Sequence, residues 1–383
     1  MSTDTVTETS SLTSALAAAL HEAIRAAGGW LPFDRFMAMA LYQPGLGYYA
    51  NDTPKFGQMP QGVAGQGSDF VTAPELSPLF GHTLARQVAQ ALEATGTDEV
   101  WEFGAGTGAL ALQVLDALAA QGKAPRRYTI VDLSGSLRAR QQLALARHAD
   151  RVVWADRLPE VFDGVVIGNE VLDAMPVQLL LRRGGQEGGV WHERGVALAG
   201  DGRLAWADRP TALRPPLDIE GPHDYLTEIH PQGEAFVRTL AERLVRGAAF
   251  FIDYGFPEAE YYHPQRHMGT LICHRGHRSD DDPLADVGLK DITAHVNFTG
   301  IALAAQDAGM AVLGYTSQGR FLINCGLLDV ARDAGPRDHA MLGKLVNEHE
   351  MGELFKVIGL APAPSAEGWH PMGFASGDRT HRL

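Results

Sequence analysis

The chain has 383 residues, 45% hydrophobic and 20% charged, enough for one large α/β domain with insertions or for two domains. Its formal charge of −14 argues against non-specific nucleic-acid binding and suits a cationic partner. No apolar run approaches the ~20 residues of a membrane span, and its two cysteines, Cys273 and Cys325, make no disulfide framework, which indicates a reducing compartment.

Residues 1–10 are Ser/Thr-rich and acidic, without an apolar core, and read as a disordered tail. They have neither the basic start nor the hydrophobic segment of a signal peptide, so a cytoplasmic location is expected. An N-terminal helical and lid region is assigned to 11–97. Its first helix runs from about Leu12 to Ala27, with Ser11 as N-cap and Gly28-Gly29 as terminator. A second helix covers Pro32 to Leu41. The segment Leu41 to Tyr49 is rich in turn formers and aromatics, Gly57 to Gly67 reads as a flexible loop, and Asp69 to Glu75 leads into a helix from about Ser77 to Ala94. Tyr48 and Tyr49 fit either a packed loop or a lid.

The most informative stretch is Val100 to Gly108, an apolar run that carries Glu102 and breaks into Gly104, Gly106 and Gly108 before an amphipathic segment. This predicts a buried strand, a tight glycine turn and a helix N-terminus, where backbone N–H groups meet a polar ligand. Two cofactor classes fit. Gly104, Gly106 and Ala109 satisfy the dinucleotide fingerprint, whereas Glu102 followed by the glycines matches the first motif of S-adenosylmethionine (SAM) methyltransferases. Glu102 favours SAM, because a buried carboxylate needs a partner and the α-ammonium of SAM supplies one, directly or through water. A pyrophosphate there would be repelled.

From residue 98 strands and helices alternate as in a doubly wound sheet. The expected strands are Glu99 to Phe103, Tyr128 to Leu133, Arg151 to Trp154 and Gly164 to Ile167, with Asp132, Asp156, Asn169 and Glu170 at or near their carboxyl ends, where such sheets bind ligands. Asp132 suits the ribose hydroxyls of either cofactor and Asp156 the adenine amino group, with capping of the turn at Arg157 as the competing role for Asp156. The loop Asn169 to Pro176 places acceptors beside the reacting centre. Glu170, helped by Asn169, is the candidate that orients a guanidinium acceptor, and Asp173 reads as support.

Residues 177–210 change character and open an insertion assigned to 177–245. Short strands at Val177 to Arg182, Val190 to Arg194 and Arg203 to Ala207 read as an inserted β excursion, followed by a Pro-rich connection over 210–224 and a helix from Pro231 to Val245. A core strand, Ala248 to Asp253, follows. Residues 258–300 read as a histidine-rich loop in which lone Cys273 and Pro264 after His263 argue against a metal site, while His277 and His295 read as pocket wall or as structural histidines. The remainder gives a helix from Phe298 to Ala308, strands at Ala311 to Tyr315 and Phe355 to Leu360, helical residues over 338–349, and a C-terminal tail over 363–383 whose last residues, from 375, read as loose. The sheet core is thus assigned to 98–176 and 246–362, and it is this part that the methyltransferase reading of the glycine turn makes a SAM-methyltransferase core.

With these stretches in hand the sequence resembles the MidA family of class I SAM-dependent methyltransferases, whose mitochondrial members assist respiratory complex I assembly. The resemblance rests on Ala40 to Tyr49, Asp69 to Ser77, Glu102 to Gly108, Asn169 to Pro176, Ile252 to Gly255, Arg275 to Arg278, Asp291 to Phe298 and Gln318-Gly319. It implies a seven-stranded, mostly parallel Rossmann-like sheet with helices on both faces, SAM as cofactor, and methylation of arginine on a protein, either a respiratory-complex subunit or another protein with an exposed arginine. Two departures stand out: Asp132 replaces the family's Glu after the second strand, and Asn297 stands where the family has Asp. An NAD-dependent oxidoreductase and a non-catalytic SAM-binding assembly factor are the competing readings.

Overall fold

The computed structural model describes residues 3–51, 72–132, 135–184, 190–276 and 278–383. The expected loop at Gly57 to Gly67, the Asp69-Phe70-Val71 motif and His277 lie outside the described residues.

The chain opens with helix α1 (Thr3–Ala26) and α2 (Phe33–Tyr42). Helix α1 starts at Thr3 where composition suggested a tail; no Gly or Pro interrupts Thr3–Ala26, so nothing in the sequence stops the helix from extending. Short α3 (Ala73–Leu76) and α4 (Leu79–Thr95) lead to β1 (Glu99–Phe103), α5 (Ala109–Ala120), β2 (Arg127–Val131), α6 (Gly135–Ala144), β3 (Val152–Ala155) and β4 (Phe162–Asn169). The insertion holds β5 (Gln178–Arg182), β6 (Trp191–Leu198), β7 (Leu204–Pro210) and β8 (Tyr225–Ile229). Then come α7 (Pro231–Arg243), the long β9 (Leu244–Phe256), β10 (Ile272–Arg275), β11 (Arg278–Asp280), β12 (Asp291–Thr293), β13 (Val296–Asn297), α8 (Phe298–Asp307), β14 (Met310–Ser317) and β15 (Phe355–Pro362).

The main sheet runs β14-β15-β9-β4-β1-β2-β3, with β13 paired beside β9. Strands β3, β2, β1, β4 and β9 are parallel, and β15 is antiparallel to both of its neighbours. The sheet therefore counts eight strands where seven were expected; the addition is two-residue β13, too short for a periodic signal. All five residues of β1 are buried, because Val100 packs with α4 and α5 on one face while Trp101 and Phe103 pack with α7 and α8 on the other.

A second, five-stranded antiparallel sheet contains β5 to β8. The segment 225–229, silent in the sequence reading, forms its edge strand β8 against β5. Two residues from the N-terminal region, Leu31–Pro32, pair with β6, and α1 and α2 share one apolar core with this sheet through Leu16, Leu20, Phe33, Phe36, Leu179 and Val196. The N-terminal helices and the insertion thus fold together as a cap. The stretch read as a histidine-rich loop forms a three-stranded sheet, β11-β10-β12, whose strands of three or four residues are too short to alternate visibly.

The C-terminus is docked rather than loose. Phe374 sits over Gly314 and Gly359 on adjacent strands, where an added Cβ would lie 2.2 and 2.7 Å from its ring. Asp378 accepts from the Tyr315 N–H at 2.9 Å, and Arg379 pairs with Glu353. These partners are distant in sequence, so local composition carries no sign of them. Truncating Phe374 to Ala leaves this notch unfilled; chemical denaturation should show a loss of about 3–5 kcal/mol.

Candidate active site

A cavity of about 1340 Å³ opens between the carboxyl edge of the main sheet and the cap, lined by the glycine turn, Asp132, Asn169, Glu170, Tyr49 and Asp291 among others. Glycines 104, 106 and 108 all adopt positive φ (62°, 53° and 87°), and a Cβ at Gly104 would come within 3.1 Å of Val171 Cγ2. The turn therefore needs glycine both for its conformation and for room. Ala109 and Leu110, whose first-turn N–H groups lack intrahelical acceptors, continue the wall.

One buried amide holds this edge together. Gln141 of α6 donates from Nε2 to the Gly106 carbonyl at 2.9 Å and to Asp132 Oδ2 at 2.8 Å, while its Oε1 accepts from Trp154 Nε1 at 2.8 Å. It ties the turn to the ends of β2 and β3. Thr107 adds a hydrogen bond to Glu75 of α3. Sequence reasoning missed Gln141, although it falls on a helix between two strands whose ends carry candidate acids.

Glu102 is buried beside the turn and accepts a hydrogen bond from the Tyr128 hydroxyl at 2.5 Å. Burial pushes its carboxyl up to about 8, Asp132 adds to the rise, and the Tyr128 hydrogen bond opposes it. The partner that a buried acid demands is thus met in part inside the protein. Tyr128 precedes Ile130, the register partner of Glu102, by one strand period on the same face, a relation across strands that local sequence does not announce. Asp156 lines the cavity, yet its side chain is largely exposed and ion-paired with Arg138.

At the end of β4, Asn169 Nδ2 donates to Glu170 Oε1 at 3.0 Å, and its buried Oδ1 has no hydrogen-bond partner among the described residues. Glu170 takes φ +54°, a left-handed conformation that disfavours residues with a Cβ. Its N–H donates to the Ile252 carbonyl at 2.9 Å. The next three N–H groups, of Val171, Leu172 and Asp173, converge on Asp253 Oδ2 at 3.1, 2.9 and 3.2 Å. Burial pushes the Glu170 carboxyl up to about 8, with Asp173 and Asp291 adding and the Asn169 hydrogen bond opposing. Burial likewise raises Asp173 to about 6, and its Oδ1 is without a hydrogen-bond partner among the described residues.

The opposite wall comes from the cap. Tyr49 donates to Asp291 Oδ1 at 2.9 Å and stacks on Tyr42 at 5.6 Å, and Tyr42 donates to the Ala174 carbonyl at 2.8 Å. Of the two expected lid tyrosines, Tyr48 is instead fully buried in the cap core, its ring edge-on to Tyr49. Adjacent residues in a loop point apart, so one reaches the cavity and the other does not. His295 lines the wall between Tyr254 and Phe256, with ring centroids 5.2 Å from each. Burial, with Arg266 and Lys356 nearby, pushes it down to about 4, so it is neutral at pH 7. His274 lines the same wall. Asn297 caps α8, accepting from the Gly300 N–H at 3.3 Å, a task it shares equally with the Asp expected there. Among the described residues no group of three His, Cys, Asp or Glu side chains could hold a metal ion.

The cavity presents a glycine cradle, acids on the strand ends and orphaned acceptors, a donor set that fits a nucleoside joined to a cationic amino acid. The comparisons agree. Residues 83–316 match the family described as "Putative S-adenosyl-L-methionine-dependent methyltransferase". A Burkholderia thailandensis methyl transferase-like protein, crystallised with S-adenosyl-homocysteine, is 50% identical, with a TM-score of 0.91 and 98% of each chain covered. The Caenorhabditis elegans "Protein arginine methyltransferase NDUFAF7 homolog, mitochondrial" is 26% identical, over 90% of this chain and 85% of that one. The Homo sapiens "Protein arginine methyltransferase NDUFAF7, mitochondrial" is also 26% identical, over 89% and 82%. These names overturn the cytoplasmic location expected from the N-terminal composition and the unpaired cysteines: the relatives are mitochondrial. Unpaired thiols signal a reducing compartment and do not tell one such compartment from another. No described helix is long and apolar enough to cross a membrane.

Replacing Gln141 by Leu removes the donor to Asp132 and should weaken S-adenosyl-homocysteine binding roughly 10- to 100-fold by calorimetry. A second expectation concerns pH. Glu102 and Glu170, raised to about 8, keep protons in the folded state that the unfolded chain loses near its ordinary carboxyl range. Their contribution to stability therefore falls as pH rises toward about 8. Melting curves of Glu102→Gln and Glu170→Gln should decline less steeply than wild type over that window.

Proposed function

The chain belongs to the S-adenosyl-L-methionine-dependent methyltransferase family, and from that premise we propose that its acceptor is an arginine side chain of a protein. The family's SAM dependence sets aside the NAD-dependent oxidoreductase, and the arginine methyltransferase relatives set aside a merely non-catalytic scaffold. One observation carries the arginine reading: Glu170, Asp173 and Asp291 meet the rings of Tyr42, Tyr49 and Tyr254 in one cavity with the glycine turn. Carboxylates beside aromatic faces suit a planar delocalised cation better than a compact ammonium.

The bound cofactor supplies an electrophilic methyl on sulfur. Glu102 and the glycine turn hold its methionine part, and Asp132, oriented by Gln141, accepts the ribose hydroxyls. Asp156, at the cavity's outer edge, lies on the adenine side. Asn169 Oδ1, buried without a partner among the described residues, accepts an N–H at the boundary between cofactor and acceptor. Glu170 aligns the acceptor nitrogen. A guanidinium entering beside it drives to solvent the proton that burial holds there, which leaves an anion facing the cation. As the N–C bond forms and the S–C bond breaks, the nitrogen's proton passes to Glu170, so charge and protons balance. Asp173, Asp291 and Tyr49 hold the far side of the guanidinium, and His295 walls the site as a neutral acceptor.

In this reading the cap, formed by α1, α2 and the sheet of β5 to β8, encloses the acceptor, while the main-sheet core assigned to 98–176 and 246–362 carries the cofactor. The protein substrate is a respiratory-complex subunit or another protein with an exposed arginine. Incubation with methyl-labelled SAM and a mitochondrial or bacterial extract, followed by mass spectrometry, should locate the label on arginine; label on lysine or a carboxylate alone would refute the reading. Glu170→Gln should keep S-adenosyl-homocysteine affinity within about threefold while transfer falls about 100-fold or more. Wild-type turnover by this variant removes Glu170 from the mechanism.

A further inference from the structure

Resting on the role proposed for Glu170, we infer that Asp253 is the positioning residue that aims it. Glu170 is held at φ +54°, one of two non-glycine residues with positive φ among the described residues. Such a conformation persists only where its surroundings over-determine it. The surroundings here are specific. Strands β4 and β9 lie side by side with Asn169 opposite Ile252, so the chain leaving β4 turns directly against the residue after Ile252, which is Asp253. The Ile252 carbonyl takes the Glu170 N–H, and a single oxygen of Asp253 takes the three N–H groups that follow. Four consecutive amides are thereby fixed from one neighbouring strand.

Asp253 is buried and absent from the cavity wall, whereas Glu170 is on it. Its second oxygen accepts from the Tyr254 N–H at 3.0 Å, which locks the carboxylate plane. The carboxylate therefore touches neither cofactor nor acceptor. It acts through the backbone: the clamp stops the loop from relaxing to negative φ, and the constrained turn sends the Glu170 side chain into the cavity beside Asn169. An extended backbone at 170 would point that side chain elsewhere, because reversing φ rotates the Cα–Cβ direction. Catalysis here pays in local strain for a carboxylate of fixed direction.

The test uses the full chain with a guanidinium-bearing peptide and SAM. Asp253→Asn keeps the shape but places an amide NH2, which cannot accept, where one oxygen stood. This variant should bind S-adenosyl-homocysteine within about threefold of wild type while kcat falls roughly 30-fold or more, with KM for the peptide changing less. The double variant with Glu170→Gln should be no slower than Glu170→Gln alone, because both changes remove one function. Losses that multiply, or wild-type kcat in Asp253→Asn, overturn the inference. Wild-type kcat in Glu170→Gln instead refutes the underlying role of Glu170, so the two failures are told apart. A pair of variants at 170 tests the strain even if Asp253→Asn does not fold. Glu170→Gly should melt higher than Glu170→Ala, since only glycine takes positive φ without cost; the reverse order means that no strain is held there.

Discussion

The structure depends on how it accommodates carboxylates that water does not reach. Glu102, Asp173 and Asp253 are buried at one edge of the main sheet, with Glu170 beside them and Asp291 buried on the facing wall. Isolated ionised acids in such a place are prohibitively costly. The fold answers with three devices: backbone N–H groups aimed at Asp253, phenol donors on Glu102 and Asp291, and protons retained on Glu102 and Glu170. Each leaves a debt that a cationic ligand settles. A site that is only tolerable when protonated becomes favourable when a sulfonium or guanidinium arrives, and this couples ligand binding to proton release.

The same edge explains why the sheet and the cap are joined as they are. Strand ends deliver the acids, but none of them encloses a substrate, because a parallel sheet offers an open crevice. Enclosure comes from Tyr42 at the end of α2 and Tyr49 in the loop after it, held in place by a sheet inserted later in the chain, between Gln178 and Ile229. The insertion therefore supports the wall without lining much of it, and the helix that returns from it, α7, closes the cavity through Phe236, Thr239 and Arg243.

What the sequence disclosed was whatever depends on neighbours along the chain. The glycine turn, the strand ahead of it and the Asn-Glu loop after β4 are local patterns, and they fall together in the cavity. The alternation of β1 to β4 with helices reads correctly for the same reason, with boundaries shifted by a residue or two. What stayed hidden are partnerships across the fold. Nothing near Glu102 announces that Tyr128 will satisfy it, and nothing near Asp156 announces Arg138. Tyr48 and Tyr49 are chemically alike, so only tertiary packing could assign one to the core and one to the cavity. Asp253 belonged to a recognisable motif, but its role rests on amides some eighty residues earlier in the chain. The docked terminus at Phe374 is hidden likewise, since its receptors are two glycines whose meaning is room rather than a turn.

The pairing of Leu31–Pro32 with β6 bears on how the chain is made. Helices α1 and α2 leave the ribosome early, carrying Leu16, Leu20, Phe33 and Phe36, yet the surface that buries these side chains is not translated until β5 and β6 emerge. At ordinary synthesis rates of about 5–20 residues per second, that apolar face waits on the order of ten seconds without its partner. The nascent protein thus carries an interval of exposure into every round of translation, during which a chaperone or a transient non-native contact must shelter the segment that later walls the active site.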